Sequence, residues 1–302
     1  MDYSEILSRA WKITWKYKAL WAAGFVMMLI AFLILPIMLF FMFVLFTSKD
    51  PSQWLDHPGT WIGIGVGLLL YTALSYGIGS FVRPSLVAGV VKVERGEQHL
   101  SIGELFRGGL PYYWRFLGLM ALFAVCIMLI SSVISGIQII GTIVTMGLAS
   151  LCLTPLSFLL YPLLYIGIVW LEFAETAIVV DGRGVMDSIR RGWELLRANK
   201  TIVFVMAIIM YLGIGTLAGL LLFPFLIPIF FAPAFAMDQS LPREILWIAG
   251  IGLALLYPIV AFLQGIAFVF MKTGWILTYL GLAEKQIVSA DSPLSPAAAR
   301  NG

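Results

Sequence analysis

Ala19 to Phe46 reads ALWAAGFVMMLIAFLILPIMLFFMFVLF and contains no charged residue. A helix needs roughly 20 apolar residues to cross a hydrocarbon layer about 30 Å thick, and this run exceeds that length. A water-soluble helix could not hide an apolar surface on every side. Asp2 and Glu5 interrupt any basic leader ahead of it, and the run is too long for the apolar part of a signal peptide, so a retained first span is predicted. The rest of the chain has the same character. Of 302 residues, 61% are hydrophobic and 12% are charged, whereas a soluble domain carries about 25% charged residues. The fold class expected is an all-α integral membrane protein.

Hydropathy predicts about six spans, near 19–46, 61–91, 115–137, 152–180, 201–235 and 245–281, with 138–151 as a connection. Most of the 19 Lys and Arg fall on one side of these spans. Arg9, Lys12, Lys16 and Lys18 precede the first, and Lys92, Arg95, Arg107 and Arg115 lie between the second and third. Arg183, Arg190, Arg191, Arg197 and Lys200 lie between the fourth and fifth. Lys49 and Arg243 belong to the opposite side. The excess of basic residues places both termini in the cytoplasm of a prokaryotic cytoplasmic (inner) membrane. Trp11, Trp15, Trp114, Trp193 and Trp275 are expected at the inner boundary, and Trp54, Trp61 and Trp247 at the outer one. Residues 286–302, rich in Ser, Pro and Ala towards their end, are expected to form a disordered tail to a single membrane domain, 1–285.

Three segments align: Ser4–Trp11, Gly103–Leu110 and Met186–Trp193. Each carries an acidic residue, then a base three or four positions on, then a large apolar residue six positions on, and each precedes a pair of spans. This predicts three units, approximately 3–96, 100–182 and 184–285, each an amphipathic interfacial helix followed by two spans. In the first helix Ile6, Ala10, Ile13 and Tyr17, with Leu7 and Trp11, form an apolar stripe, opposite Arg9, Lys12 and Lys16. In the third, the stripe is Met186, Ile189, Trp193 and Leu196, with Asp187–Arg191 and Arg190–Glu194 as expected four-residue pairs. Ser101 and Glu104 match a capping box at the start of the second. Helices of this kind lie in the headgroup plane with their cations on anionic lipid. The expected lipid contacts are Arg9, Trp11, Lys12, Lys16, Arg107, Arg190, Arg191, Trp193 and Arg197, which makes membrane lipids, with other membrane proteins, the partners.

Arg83, Glu172, Glu175 and Lys272 fall within spans. A charge at a helix centre costs roughly 2.5 to 3.5 kcal/mol on insertion scales, so none should face lipid unpaired. Arg83, Glu172 and Lys272 lie about nine to twelve residues, or roughly 14 to 18 Å, from the inner ends of their helices. Two positive and two negative charges at one depth predict an interhelical ion-pair cluster. It would serve as a packing clamp, a binding cavity or a proton relay.

Other motifs carry no chemistry. Gly63, Gly65 and Gly67 have no preceding strand and no phosphate-binding Lys, so they are read with Gly215 and Gly219 as small-residue helix contacts. Pro36, Pro84, Pro155, Pro162, Pro224, Pro228 and Pro258 are expected to kink or end spans. Cys126 and Cys152 read as small apolar fillers, and His57 and His99 have no companion ligand, so no metal site or cofactor is expected. No nucleophile elbow or HExxH occurs, and the basic residues flank spans without forming a nucleic-acid-binding face.

The helix Ser8–Trp11 running into Trp21–Phe25, and the stretch Ala177–Val185 continuing through Arg191–Trp193, resemble the glycerophosphoryl diester phosphodiesterase membrane domain and related prokaryotic multi-span families. The resemblance covers 3–285. It implies a membrane module that anchors, scaffolds or contacts lipid. Phosphodiesterases of that kind carry catalysis on a separate barrel with metal-binding acidic and histidine residues, which this chain lacks, so no functional residue carries over. The expected function is a noncatalytic scaffold, partner subunit or lipid-organising module. The alternative is a small transporter or lipid-handling protein with its site at the charge layer.

Overall fold

The computed structural model describes residues 2–38, 41, 56–148, 160–224, 226–227 and 243–290, with 160–163, 243–250 and 287–290 described by backbone alone. The expectations for Lys49, Trp54, Cys152, Pro155, Pro228 and residues 291–302 lie outside these residues, as do those for the side chains of Pro162 and Trp247. The described chain is helical and contains no strand. In order it runs α1 (Tyr3–Lys16), α2 (Ala19–Ala31), α3 (Pro58–Glu94), α4 (Ile102–Gly109), α5 (Tyr113–Val144), α6 (Leu160–Val180), α7 (Val185–Ala198), α8 (Lys200–Ala207), α9 (Thr216–Leu220) and α10 (Arg243–Ala290). A π-helical segment, Ile208–Gly215, joins α8 to α9. Five stretches among the described residues are long and apolar enough to cross a membrane: Ala19–Met38, Pro58–Glu94, Ile102–Val144, Lys200–Leu220 and Ile251–Gln286.

One expectation about the spans is corrected. The third does not end at 137, because α5 continues through Gln138 to Val144 and absorbs half of the predicted connection. Its residues from Ser131 to Val144 stay helical through Gly136, Gln138 and Gly141. The turn comes at Thr145–Gly147, where Met146 and Gly147 adopt positive φ of 51° and 95°, a conformation that ends a helix cheaply at glycine. Pro84 and Pro258 lie inside α3 and α10 without ending either helix.

The three amphipathic segments form α1, α4 and α7, and each packs on a charged helix: α1 on α10, α4 on α3 and α7 on α6. All three sit at the end of the molecule where α3, α6 and α10 finish and α2 begins. The apolar stripe of α1 is turned into protein, with Ile6, Ala10, Ile13 and Tyr17 all buried in the main core. Trp11 is left on its flank, where its ring meets Trp15 and the edge of Phe270. The third helix departs further from expectation. Its buried face is Ser188, Gly192 and Leu195, while Met186 and Trp193 are exposed. The cause is Gly192, whose missing side chain brings α7 close to α6, since a Cβ there would lie 3.0 Å from the Ala174 amide nitrogen.

The capping box of α4 is complete. Ser101 Oγ accepts from the Glu104 amide at 3.2 Å, and Glu104 accepts from the Ser101 amide at 3.0 Å. Ser101→Ala is expected to cost about 1 kcal/mol, visible as a lower thermal midpoint in detergent and faster amide exchange at Glu104.

Among the described residues, the glycines expected to make helix contacts meet no neighbouring helix. A Cβ at Gly63, Gly65, Gly67 or Gly219 would meet nothing within 4 Å, and one at Gly215 would meet only Met210 of its own helix. The first half of α3, from Trp61 to Leu74, is largely exposed, so its small residues have no described neighbour. Close approach occurs instead at Gly24, Gly109, Gly192 and Gly265. The main core is gathered at the same end, where Leu20, Val82, Leu86, Phe173, Met206, Trp275 and Tyr279 meet. Trp275 lies in the interior of this core with 1% exposure.

Candidate functional site

The structure brings Arg83, Glu172, Glu175 and Lys272 into one cluster. Arg83 on α3 donates from Nη1 to Glu175 Oε1 at 2.6 Å. Lys272 on α10 bridges both carboxylates of α6, donating to Glu172 Oε2 at 2.5 Å and also to Glu175. Arg83 thus reaches Glu175, not Glu172, and Lys272 links the two acids. Glu172 and Glu175 can share Lys272 because residues three apart lie on one helix face. Glu175 is fully buried and Lys272 is 2% exposed, while Glu172 and Arg83 keep side-chain exposures of 13% and 22%.

Apolar and aromatic groups enclose the cluster. Phe173 lies edge-on to Trp275 and Tyr279 with ring centroids 5.8 and 5.9 Å away. Tyr211, in the π-helical segment, stacks obliquely on Trp275 at 5.8 Å and on Tyr165 at 5.5 Å. Such segments are uncommon and recur at functional sites. Ser80, one turn from Arg83, and Thr273, next to Lys272, are buried with hydroxyls that have no hydrogen-bond partner among the described residues.

The sequence contains a regularity around these charges that only the packing makes visible. Each is followed two positions later by a small residue: Arg83 by Ser85, Glu172 by Ala174 and Lys272 by Gly274. Ser85 and Ala174 are where the amphipathic helices cross. A Cβ at Gly109 would fall 2.6 Å from the Ser85 amide nitrogen, and one at Gly192 would fall 3.0 Å from that of Ala174. Gly274 receives Met206 and Met210 instead. Ala10, Gly109 and Gly192 occupy one position of the aligned segments, and all three are buried. A charge paired across the helices therefore sits half a turn from a close helix contact on both α3 and α6.

A second polar cluster went unforeseen. Tyr279 on α10 donates to Asp181 Oδ2 at 2.8 Å, and Arg183 and Arg191 approach the same oxygen at 3.3 and 3.8 Å. The expected Asp187–Arg191 pair does not form, because Arg191 turns inward from α7 to Asp181. The Arg190–Glu194 pair does form, at 3.3 Å on an exposed face. Arg191 therefore faces protein, whereas Arg107, Arg190 and Arg197 face outward. Trp193 is 40% exposed and its ring lies 5.2 Å from that of Trp170. Two other tryptophans tie helices together. Trp170 donates to the Ile189 carbonyl at 2.8 Å, and Trp21 donates to the Thr14 carbonyl at 2.7 Å.

Arg9 is paired with Glu94 at the end of α3, and Lys12 and Lys16 follow it on the same face of α1. Trp11 and Trp15 are 55% and 44% exposed. Among the described residues no three His, Cys, Asp or Glu side chains are grouped so as to hold a metal ion. No protein-family model, curated protein or solved structure matches this chain.

Proposed function

We propose that this chain is a noncatalytic multi-pass membrane module, a scaffold or partner subunit that organises lipid or other membrane proteins from its cytoplasmic face. The self-neutralised charge layer carries the proposal. Two cations and two carboxylates take one another as partners, and the two innermost groups, Glu175 and Lys272, are buried. No net charge is left to draw in a solute, and charges that take one another as partners across three helices fix the order in which those helices pack. The proposal includes about six spans in three units, each an amphipathic helix followed by two spans, with both termini cytoplasmic in a prokaryotic inner membrane. Support comes from the basic residues concentrated where α1, α4 and α7 lie. The likeness to the glycerophosphoryl diester phosphodiesterase membrane domain adds the anchoring or lipid-contacting role alone.

A second reading, a small transporter or lipid-handling protein with its site at this layer, draws on the π-helical segment beside Tyr211 and on the unpartnered hydroxyls of Ser80 and Thr273. Purification of the whole chain in native lipid, followed by mass spectrometry of what accompanies it, separates the two. A reproducible protein partner or an anionic-lipid shell is the expected result. A stoichiometric polar solute, lost from a Ser80→Val variant, would transfer the assignment to transport.

A further inference from the structure

α1 and the end of α3 line an open surface cleft of about 280 Å³, roomy enough for a group larger than a water molecule. Its lining is strongly cationic. Arg9, Lys12 and Lys16 contribute three positive charges and Glu94 one negative charge, leaving two positive charges in excess. Residues at this spacing share one helix face, so the three side chains project along one wall. Glu94 already pairs with Arg9, while Lys12 and Lys16 have no carboxylate partner among the described residues. A guanidinium has five donors in a fixed fork, so Arg9 can hold Glu94 and still donate into the cleft. Tyr17 fixes the lower edge. Its hydroxyl donates to the Glu97 carbonyl at 2.9 Å, and the Lys16 ammonium lies 5.3 Å from its ring centre. Ile13 and Val93 supply apolar walls, which suit a phosphate joined to carbon better than a fully hydrated ion.

From this geometry we infer that the cleft binds the phosphate group of an anionic phospholipid headgroup. The inference rests on the proposed membrane role, because the cleft is then at headgroup depth. The exposed Trp11 and Trp15 on the neighbouring flank of α1 mark that depth, where tryptophan rings concentrate. Two lysines and a guanidinium against one phosphodiester give charge-assisted hydrogen bonds.

The test uses the full chain in nanodiscs of phosphatidylcholine with increasing phosphatidylglycerol, reading retained lipid by native mass spectrometry. Wild type is expected to retain phosphatidylglycerol selectively. Lys12→Ala with Lys16→Ala is expected to weaken retention about tenfold or more, since two charge-assisted hydrogen bonds to the phosphate are lost. Lys200→Ala with Lys285→Ala, which removes the same charge from exposed positions elsewhere, is expected to change it by less than about twofold. Equal weakening in both double variants would overturn the cleft and leave the general basic-face reading intact. No selectivity in wild type would overturn that reading as well. The source of the phosphate is set by inorganic phosphate added to protein in phosphatidylcholine alone, with protection of Lys12 and Lys16 from amine acylation as the readout. Protection by phosphatidylglycerol and not by inorganic phosphate supports the lipid. Protection by inorganic phosphate alone overturns it.

Discussion

Lys272→Met is expected to lower stability in mild detergent by about 3–5 kcal/mol, the range found when one member of a buried charge pair is removed. Lys272 is the cation shared by Glu172 and Glu175, so its loss leaves Arg83 to serve both the buried Glu175 and the partly buried Glu172. The loss should be visible as a collapse of the monodisperse peak on size-exclusion chromatography after brief heating. Adding Glu175→Gln to Lys272→Met is expected to recover a good part of it, because the most deeply buried negative charge is then gone. Swapping the Arg83 and Glu175 charges gives a second check. The double variant should be more stable than the two single changes imply, by about 0.5–3 kcal/mol, the range for residues in contact. Strict additivity would show that the pair contributes nothing to the fold.

If all four charges are replaced with apolar groups of similar volume, stability is expected to hold or rise, as in other buried ion-pair networks. That outcome would place the value of the cluster in specifying which helices meet. A module whose helices are equally apolar towards lipid and towards one another has little else to set their order, since lipid tails solvate leucine as well as another helix does.

The four intramembrane charges could be picked out from sequence because a charge in hydrocarbon is costly whatever surrounds it, so their position alone demanded partners. Partner identity was a different matter. Arg83 takes Glu175, a choice the cluster prediction left open, since one helical step of three residues decides which carboxylate faces α3, and sequence does not fix the rotation of α6. The amphipathic helices were also legible as helices, from their periodicity and the Ser101–Glu104 cap. The surface that received their apolar face was not. An interfacial helix and one packed on protein carry the same stripe, and only Ala10, Gly109 and Gly192 hint at a close protein neighbour. The glycine reading failed for a related reason. A small residue permits close approach without requiring it, so Gly63, Gly65 and Gly67 looked like contact sites and meet nothing among the described residues.

Gly265→Leu is expected to separate α2 from α10 and to be the most damaging of the conservative apolar changes in the described chain. These two helices pack extensively against each other, and they cross where Gly24 and Gly265 face one another. A Cβ at Gly265 would fall 2.7 Å from the Gly24 carbonyl carbon and 2.7 Å from the Phe25 amide nitrogen. Both obstacles are backbone, so no side chain can rotate away and the helices themselves must move. Overpacking of a well-filled interior costs about 1–3 kcal/mol even where neighbours can adjust. Movement here would also disturb the contact of Phe262 with Trp21 and Phe25, and the hydrogen bond from the Tyr257 hydroxyl to the Leu29 carbonyl. A loss of about 3 kcal/mol or more is therefore expected, measured as a fall in thermal midpoint and in the yield of monodisperse protein. Gly63→Ala provides the control. With nothing near its Cβ and a helical backbone, it should be neutral or stabilising by up to about 1 kcal/mol. If both variants behaved alike, the Gly24–Gly265 crossing would not be a close contact in the membrane, and α10 would be free to slide its Lys272 away from α6. Stability at Gly265 and ion pairing at Lys272 are thus linked through one helix, and a Gly265→Leu, Lys272→Met double variant should lose less than the sum of the two.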